Sequence, residues 1–100
     1  MKTFDIGLAG VTYADSWLDI KQYYDGSPAI VLMDDEGPIT RVSTLLESNP
    51  AAEGCFWIKE WSENTGLTSQ LLHLGLIEMT GRVTTSGFVE VFEARLIEEK

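Results

Sequence analysis

The chain is short of the residues that build staples and catalytic centres: one cysteine, one histidine, three prolines, and seven lysines and arginines against sixteen aspartates and glutamates. A single thiol excludes an internal disulfide framework and a thiolate metal cage, and Cys55 reads as a small buried apolar residue suited to a reducing cytosol. The opening MKTFDIGLAG places an acid inside its apolar stretch, so neither a signal peptide nor a membrane span is expected, and the protein should be cytoplasmic. One histidine, His73, stands eighteen residues from the one cysteine, too little for nucleophilic or acid–base chemistry, which needs groups converging within hydrogen-bond reach. Asp34-Asp35-Glu36 lacks the alternating ligands and distant glutamate of a calcium loop, and reads as a solvated hairpin tip. Gly7 and Gly10 make no phosphate cradle, because no Gly-Lys-Ser and no following helix accompany them. Glu90 and Glu93 fall on opposite faces of a strand, so they form no glycosidase-like dyad. No catalytic residue, metal or cofactor is expected, and the chain is read as a non-enzyme.

What the sequence has in excess is negative charge, with a formal net charge of -9 over 100 residues. Clustered cations are needed to displace counterions from phosphates, so direct nucleic-acid binding is excluded. The same charge favours encounter with a basic protein surface, including a channel that holds DNA or RNA, although it also serves plain solubility. Residues 34 to 63 hold seven acids and two bases, interleaved with apolar runs rather than gathered in a tail.

One hundred residues with 44% hydrophobic content fit one domain, residues 1–100, with a core large enough to fold unaided. Thr3 to Leu8 alternates as a strand, Ala9-Gly10 turns the chain, and Trp17 to Tyr23 alternates again. Asp25-Gly26-Ser27-Pro28 is turn chemistry before a buried strand, Ala29 to Met33. A turn over Asp34 to Pro38 leads to Ile39 to Leu45, and Ser48-Asn49-Pro50 ends that unit. Phe56 to Trp61 reads as a strand with Phe56 and Ile58 on one side and Trp57, Lys59 and Trp61 on the other. Asn64 is read as the N-cap of a short helix carrying Leu67, Leu71 and Leu74, closed by Gly75. Phe88 to Ile97 is apolar on both faces and should pair inside the sheet. The expected fold is α+β, a mainly antiparallel twisted sheet of five or six strands with one short helix packed on it.

Two residue sets stand out as partner-binding candidates. Trp57 and Trp61 on one strand face would form an aromatic anchor, unless they fill the core. Asp34, Asp35, Glu36, Glu60 and Glu63 would face a basic partner if the hairpin tip and the Trp61 loop converge; a solvated rim is the plainer alternative.

Tyr23-Tyr24-Asp25-Gly26-Ser27-Pro28-Ala29-Ile30-Val31-Leu32, with Thr80-Gly81-Arg82 and Ser86-Gly87-Phe88 further on, resembles a family of uncharacterised small proteins carried by bacterial conjugative elements, plasmids and phages. The chain departs from that family in its acidic middle and in Trp61-Ser62-Glu63-Asn64, where the family has an Asn-rich stretch. The resemblance implies a viral or mobile-element protein in the bacterial host's cytoplasm that inhibits a defence complex, as anti-CRISPR proteins do. Its partner would be a basic nucleic-acid-binding surface on an RNA-guided nuclease, met by carboxylates acting as a nucleic-acid mimic. The chain would act as a monomer or homodimer. Two alternatives stand beside this: a small-ligand sponge with a pocket lined by Trp17, Tyr24 or Trp57, and a structural subunit that self-associates through an exposed edge strand. For Arg82 the structural expectation is a pairing with a carboxylate where the chain joins its last strand.

Overall fold

Alternation of Phe4, Ile6 and Leu8 with Asp5 and Gly7 gives the first segment one apolar face. In the computed structural model, which describes residues 3–97, β1 spans Phe4–Leu8 with those three side chains buried. Ala9 and Gly10 have φ of 51° and 79°, the positive pair that a two-residue type I′ turn requires. The chain returns as β2 (Val11–Gln22), whose first half pairs with β1 and whose second half pairs with β3 (Pro28–Asp34). Between the halves the register slips at a bulge where Asp15 takes φ of 52° and donates its N–H to Asp5 Oδ1 at 3.2 Å. The strand runs twelve residues, Val11–Gln22, where alternation marked only Trp17 to Tyr23, because the bulge breaks the alternation ahead of Trp17. A turn over Asp35 and Glu36 leads to β4 (Gly37–Arg41), where Pro38 is tolerated because the strand lies at the sheet edge.

The expected strand Ile39 to Leu45 is divided at Val42. Its N–H donates to the Ile30 carbonyl at 2.9 Å and its carbonyl accepts from the Lys59 N–H at 2.8 Å, so one residue bonds to both halves of the fold. Beyond it β5 (Ser43–Thr44) pairs with β6 (Cys55–Ile58), and β8 (Val89–Leu96) lies between β6 and β7 (Ile77–Ser86). The α+β, mainly antiparallel architecture is therefore two four-stranded sheets, β1-β2-β3-β4 and β5-β6-β8-β7, with eight strands among the described residues in place of five or six. The additional strand is chiefly β7, ten residues whose burial pattern is mostly exposed and whose apolar periodicity is correspondingly weak.

The core is common to both sheets and the helix. Phe4, Ile6, Leu8, Ile30, Leu32, Val42, Phe56, Ile58, Leu67, Leu71, Ile77 and Ala94 form one buried cluster. Helix α1 (Leu67–His73) brings Leu67 and Leu71 to that cluster and packs against β1 and β7. Gly75, at φ 73°, ends it as a Schellman motif, with the Leu76 N–H on the Leu71 carbonyl and the Gly75 N–H on the Leu72 carbonyl, both at 3.0 Å. At the other end Asn64 is not the cap. Gly66 holds that position at φ 89° without a side-chain oxygen to offer, and Glu60 supplies both of its carboxylate oxygens from outside the helix, Oε2 accepting from Gly66 N at 2.6 Å and Oε1 from Thr68 N at 2.7 Å. Gln70 points the other way from α1 onto β1. Its amide accepts from Gly7 N at 2.8 Å and donates to Gly7 O at 2.7 Å, taking the place of a neighbouring strand along that edge.

Candidate interaction surface

The 3-10 turn Ser62–Asn64 is held against β4 by the fully buried Asn64. Its Nδ2 donates to the Arg41 carbonyl at 2.7 Å and the Lys59 carbonyl at 2.9 Å, and its Oδ1 accepts from Thr40 Oγ1 at 2.7 Å. All of the amide's bonding capacity but one lone pair is thereby used, which explains an asparagine at the end of so short a turn. The neighbouring Glu63 is exposed, pairs with Lys59 at 3.0 Å and lies 3.5 Å from Thr40 Oγ1. Its own backbone N–H, then Lys59, hold its carboxyl below the ordinary value. At the other end of β4, Asp34 Oδ1 accepts the Glu36 N–H at 3.0 Å and fixes the hairpin tip, where Asp35 and Glu36 are exposed. The hairpin tip and the turn after Trp61 are thus brought to one edge strand. Thr40 lies four residues from Glu36, so Glu63 is set roughly 13 Å along β4 from the tip. No ion pair among the described residues involves Asp34, Asp35 or Glu36.

Glu60 and Trp57 do not belong to this surface. The Glu60 carboxylate is committed to the helix cap, and Trp57 is only 2% exposed. Every residue of β6 is buried, because its second face is covered by the irregular segment that precedes it: Trp57 Nε1 donates to the Asn49 carbonyl at 2.7 Å. A folded-state aromatic anchor therefore cannot include Trp57, while Trp61 is half-buried beside the turn.

The same face holds a buried carboxylate that the sequence did not single out as a centre. Glu93, opposite Trp57 on β8 and 1% exposed, accepts from Thr80 Oγ1 at 2.6 Å, Arg82 Nη1 at 2.7 Å and the Ala52 N–H at 2.9 Å. Burial acts to raise its pKa, but the bonds from Thr80 and Ala52 and the Arg82 charge outweigh it and hold the carboxyl below its ordinary value. The Arg82 guanidinium also lies 5.4 Å from the Trp57 ring centroid. Thr80, Gly81 and Arg82 together stand opposite the single Glu93, since the register passes from Met79↔Ala94 to Val83↔Phe92. The Thr-Gly-Arg motif is thus a bulge whose two polar side chains close on one carboxylate, with Gly81 at φ 94°. Arg82 does pair with a carboxylate, as its structural reading required. Ser86-Gly87-Phe88 enters a two-residue hairpin turn with Gly87 at φ 62°, and Phe88 projects from it 109% exposed.

The remaining chemical candidates sit on separate elements. Cys55 is buried in β6, where burial pushes the thiol up, and His73 is exposed at the end of α1. Among the described residues no group of three or more His, Cys, Asp and Glu is placed to hold a metal ion. Tyr24 is 80% exposed and donates to Glu47 Oε1 at 2.9 Å. The cleft beside it is lined by Asp25, Gly26, Ser27, Pro50, Ala51, Ala52, Glu53 and Gly54, and by none of Trp17, Tyr24 and Trp57. No described helix is long and apolar enough to cross a membrane. Comparison with family models, curated proteins and solved structures gives no match.

Proposed function

We propose that this chain is a non-catalytic binding protein whose acidic β4 edge docks on a basic, nucleic-acid-holding surface of a host defence complex and so inhibits it. The observation that carries this reading is the Asn64 clamp, which fixes Glu63 beside the strand that begins at the Asp34–Glu36 tip. Carboxylates on a rigid edge lose little freedom on docking, and their field accelerates encounter with a basic partner. The resemblance to mobile-element proteins supplies the class of target, an RNA-guided nuclease, where occupation of the channel would exclude nucleic acid. Exposed acids at the tip that enter no ion pair among the described residues support the reading, as does the half-buried Trp61 next to the turn.

The test is a binding measurement against purified RNA-guided nuclease complexes, paired with a phage plaque assay in cells that carry such a system. Binding should weaken at least tenfold between low and high salt and be lost in the Asp35→Lys, Glu36→Lys, Glu63→Lys variant. Salt-insensitive binding, or full inhibition by the charge-reversed variant, would show that the acidic edge is not the docking surface.

A further inference from the structure

The three long sheet edges are treated differently by the fold. The β1 edge is closed by the Gln70 amide, and the β4 edge carries the carboxylates just described. The third, β7, ends its sheet with no strand beyond it among the described residues. From Met79 to Val89 the sequence contains no carboxylate and a single cation, Arg82, whose charge is matched internally by Glu93. Neither lysine nor proline interrupts this stretch, so of the usual devices that blunt an open edge it has only the Thr80–Arg82 bulge.

The two-residue turn makes Ser86↔Val89 the hydrogen-bonded pair that closes the hairpin, and bonded and non-bonded pairs alternate from there. Thr84↔Val91 is then bonded, while Val83 and Thr85 turn their N–H and C=O groups away from β8. Val83 is 50% exposed and Thr85 is exposed. This edge is self-complementary about Thr84: in an antiparallel pairing, Val83 of one copy meets Thr85 of the other, and both present free backbone groups.

We propose that two copies of this chain associate through β7, antiparallel about a two-fold axis at Thr84, so that the β5-β6-β8-β7 sheets of both copies join into one. Copies that each carry a net charge of -9 repel most strongly where their acids face one another, and from Met79 to Ser86 the open β7 edge has none, Glu78 at its start being paired with Arg95. The pairing forms four backbone hydrogen bonds across the axis and two Val83–Thr85 cross-strand contacts. It carries each exposed Phe88 alongside the other copy's Thr80–Arg82 bulge, next to Met79, which is 36% exposed. The bulge limits the paired length, and the acidic β4 edge remains open in both copies. The dimer stands independently of the docking function proposed above.

Sedimentation equilibrium over a range of protein concentrations tests the pairing, using wild type, Thr85→Pro and Val83→Lys. Proline at position 85 removes a donor that points away from β8 and so costs the monomer no ladder bond. Lysine at 83 places a charge on the pairing edge without altering the backbone. Wild type should show a reversible monomer–dimer equilibrium, and each variant should weaken it at least tenfold, with far-ultraviolet circular dichroism confirming that the fold is kept. If Thr85→Pro does not fold, Val83→Lys decides alone. Wild type that stays monomeric into the millimolar range, or a dimer unaffected by Val83→Lys, overturns the proposal.

Discussion

Glu93 joins three segments that are far apart in the chain: its carboxylate holds the backbone at Ala52, the Thr80 hydroxyl and the Arg82 guanidinium. Removing its charge leaves those donors facing a weaker acceptor, and Glu93→Gln is expected to cost roughly 2–3 kcal/mol in denaturant unfolding. Because its folded pKa is depressed, the stability it contributes is fully present above the unfolded value and is lost as pH falls through the folded one. Wild-type stability should therefore drop as the medium is acidified below the ordinary carboxylate value of 4.5. The Glu93→Gln protein should lose less over the same acid range, which urea titrations at a series of pH values would measure. A parallel decline in both proteins would place the pH-sensitive group elsewhere.

Among the elements, those legible from sequence were the ones whose pattern is local. Phe4, Ile6 and Leu8 alternate, Asp25 to Pro28 turns, and Gly75 ends the helix as its position indicates. Elements decided at long range were not legible. β7 is edge-exposed and bulged, so Thr80-Gly81-Arg82 reads as a connection until Glu93 is seen opposite it. Glu60 caps a helix that starts seven residues later, where a local cap was expected from Asn64. Whether Trp57 fills the core or faces a partner was open from sequence, because nothing there indicates that the segment around Asn49 folds over it. Of the acidic set, Asp34, Asp35 and Glu36 form the turn that leads into β4 and Glu63 stands beside Thr40 of that strand, while Glu60 is turned to the helix cap. The Gln70 clamp is likewise a long-range device, bonding to Gly7 from 63 residues away. Gln70→Ala should destabilise the protein by about 1–2 kcal/mol, since both Gly7 backbone groups lose their partner. Amide hydrogen exchange in β1 should quicken more than in β3, and equal acceleration in both strands would argue against a local seal.

For the whole molecule, charge is the dominant bulk property. Ion pairs engage Lys21, Lys59, Arg82 and Arg95, so most of the acidic excess faces solvent and repels itself. Melting temperature should rise by several degrees as sodium chloride is increased from about 10 mM to about 500 mM, where the Debye length becomes short. A flat or falling dependence in scanning calorimetry would mean that the ion pairs outweigh the repulsion. The crossing at Val42 bears on how the two sheets behave together. One sheet is drawn from residues up to Arg41 and the other from Ser43 onward, yet α1 from the second seals β1 of the first. Neither half of the polypeptide is a self-sufficient module, and a nascent chain released only as far as β4 would have no helix to shelter Phe4, Ile6 and Leu8.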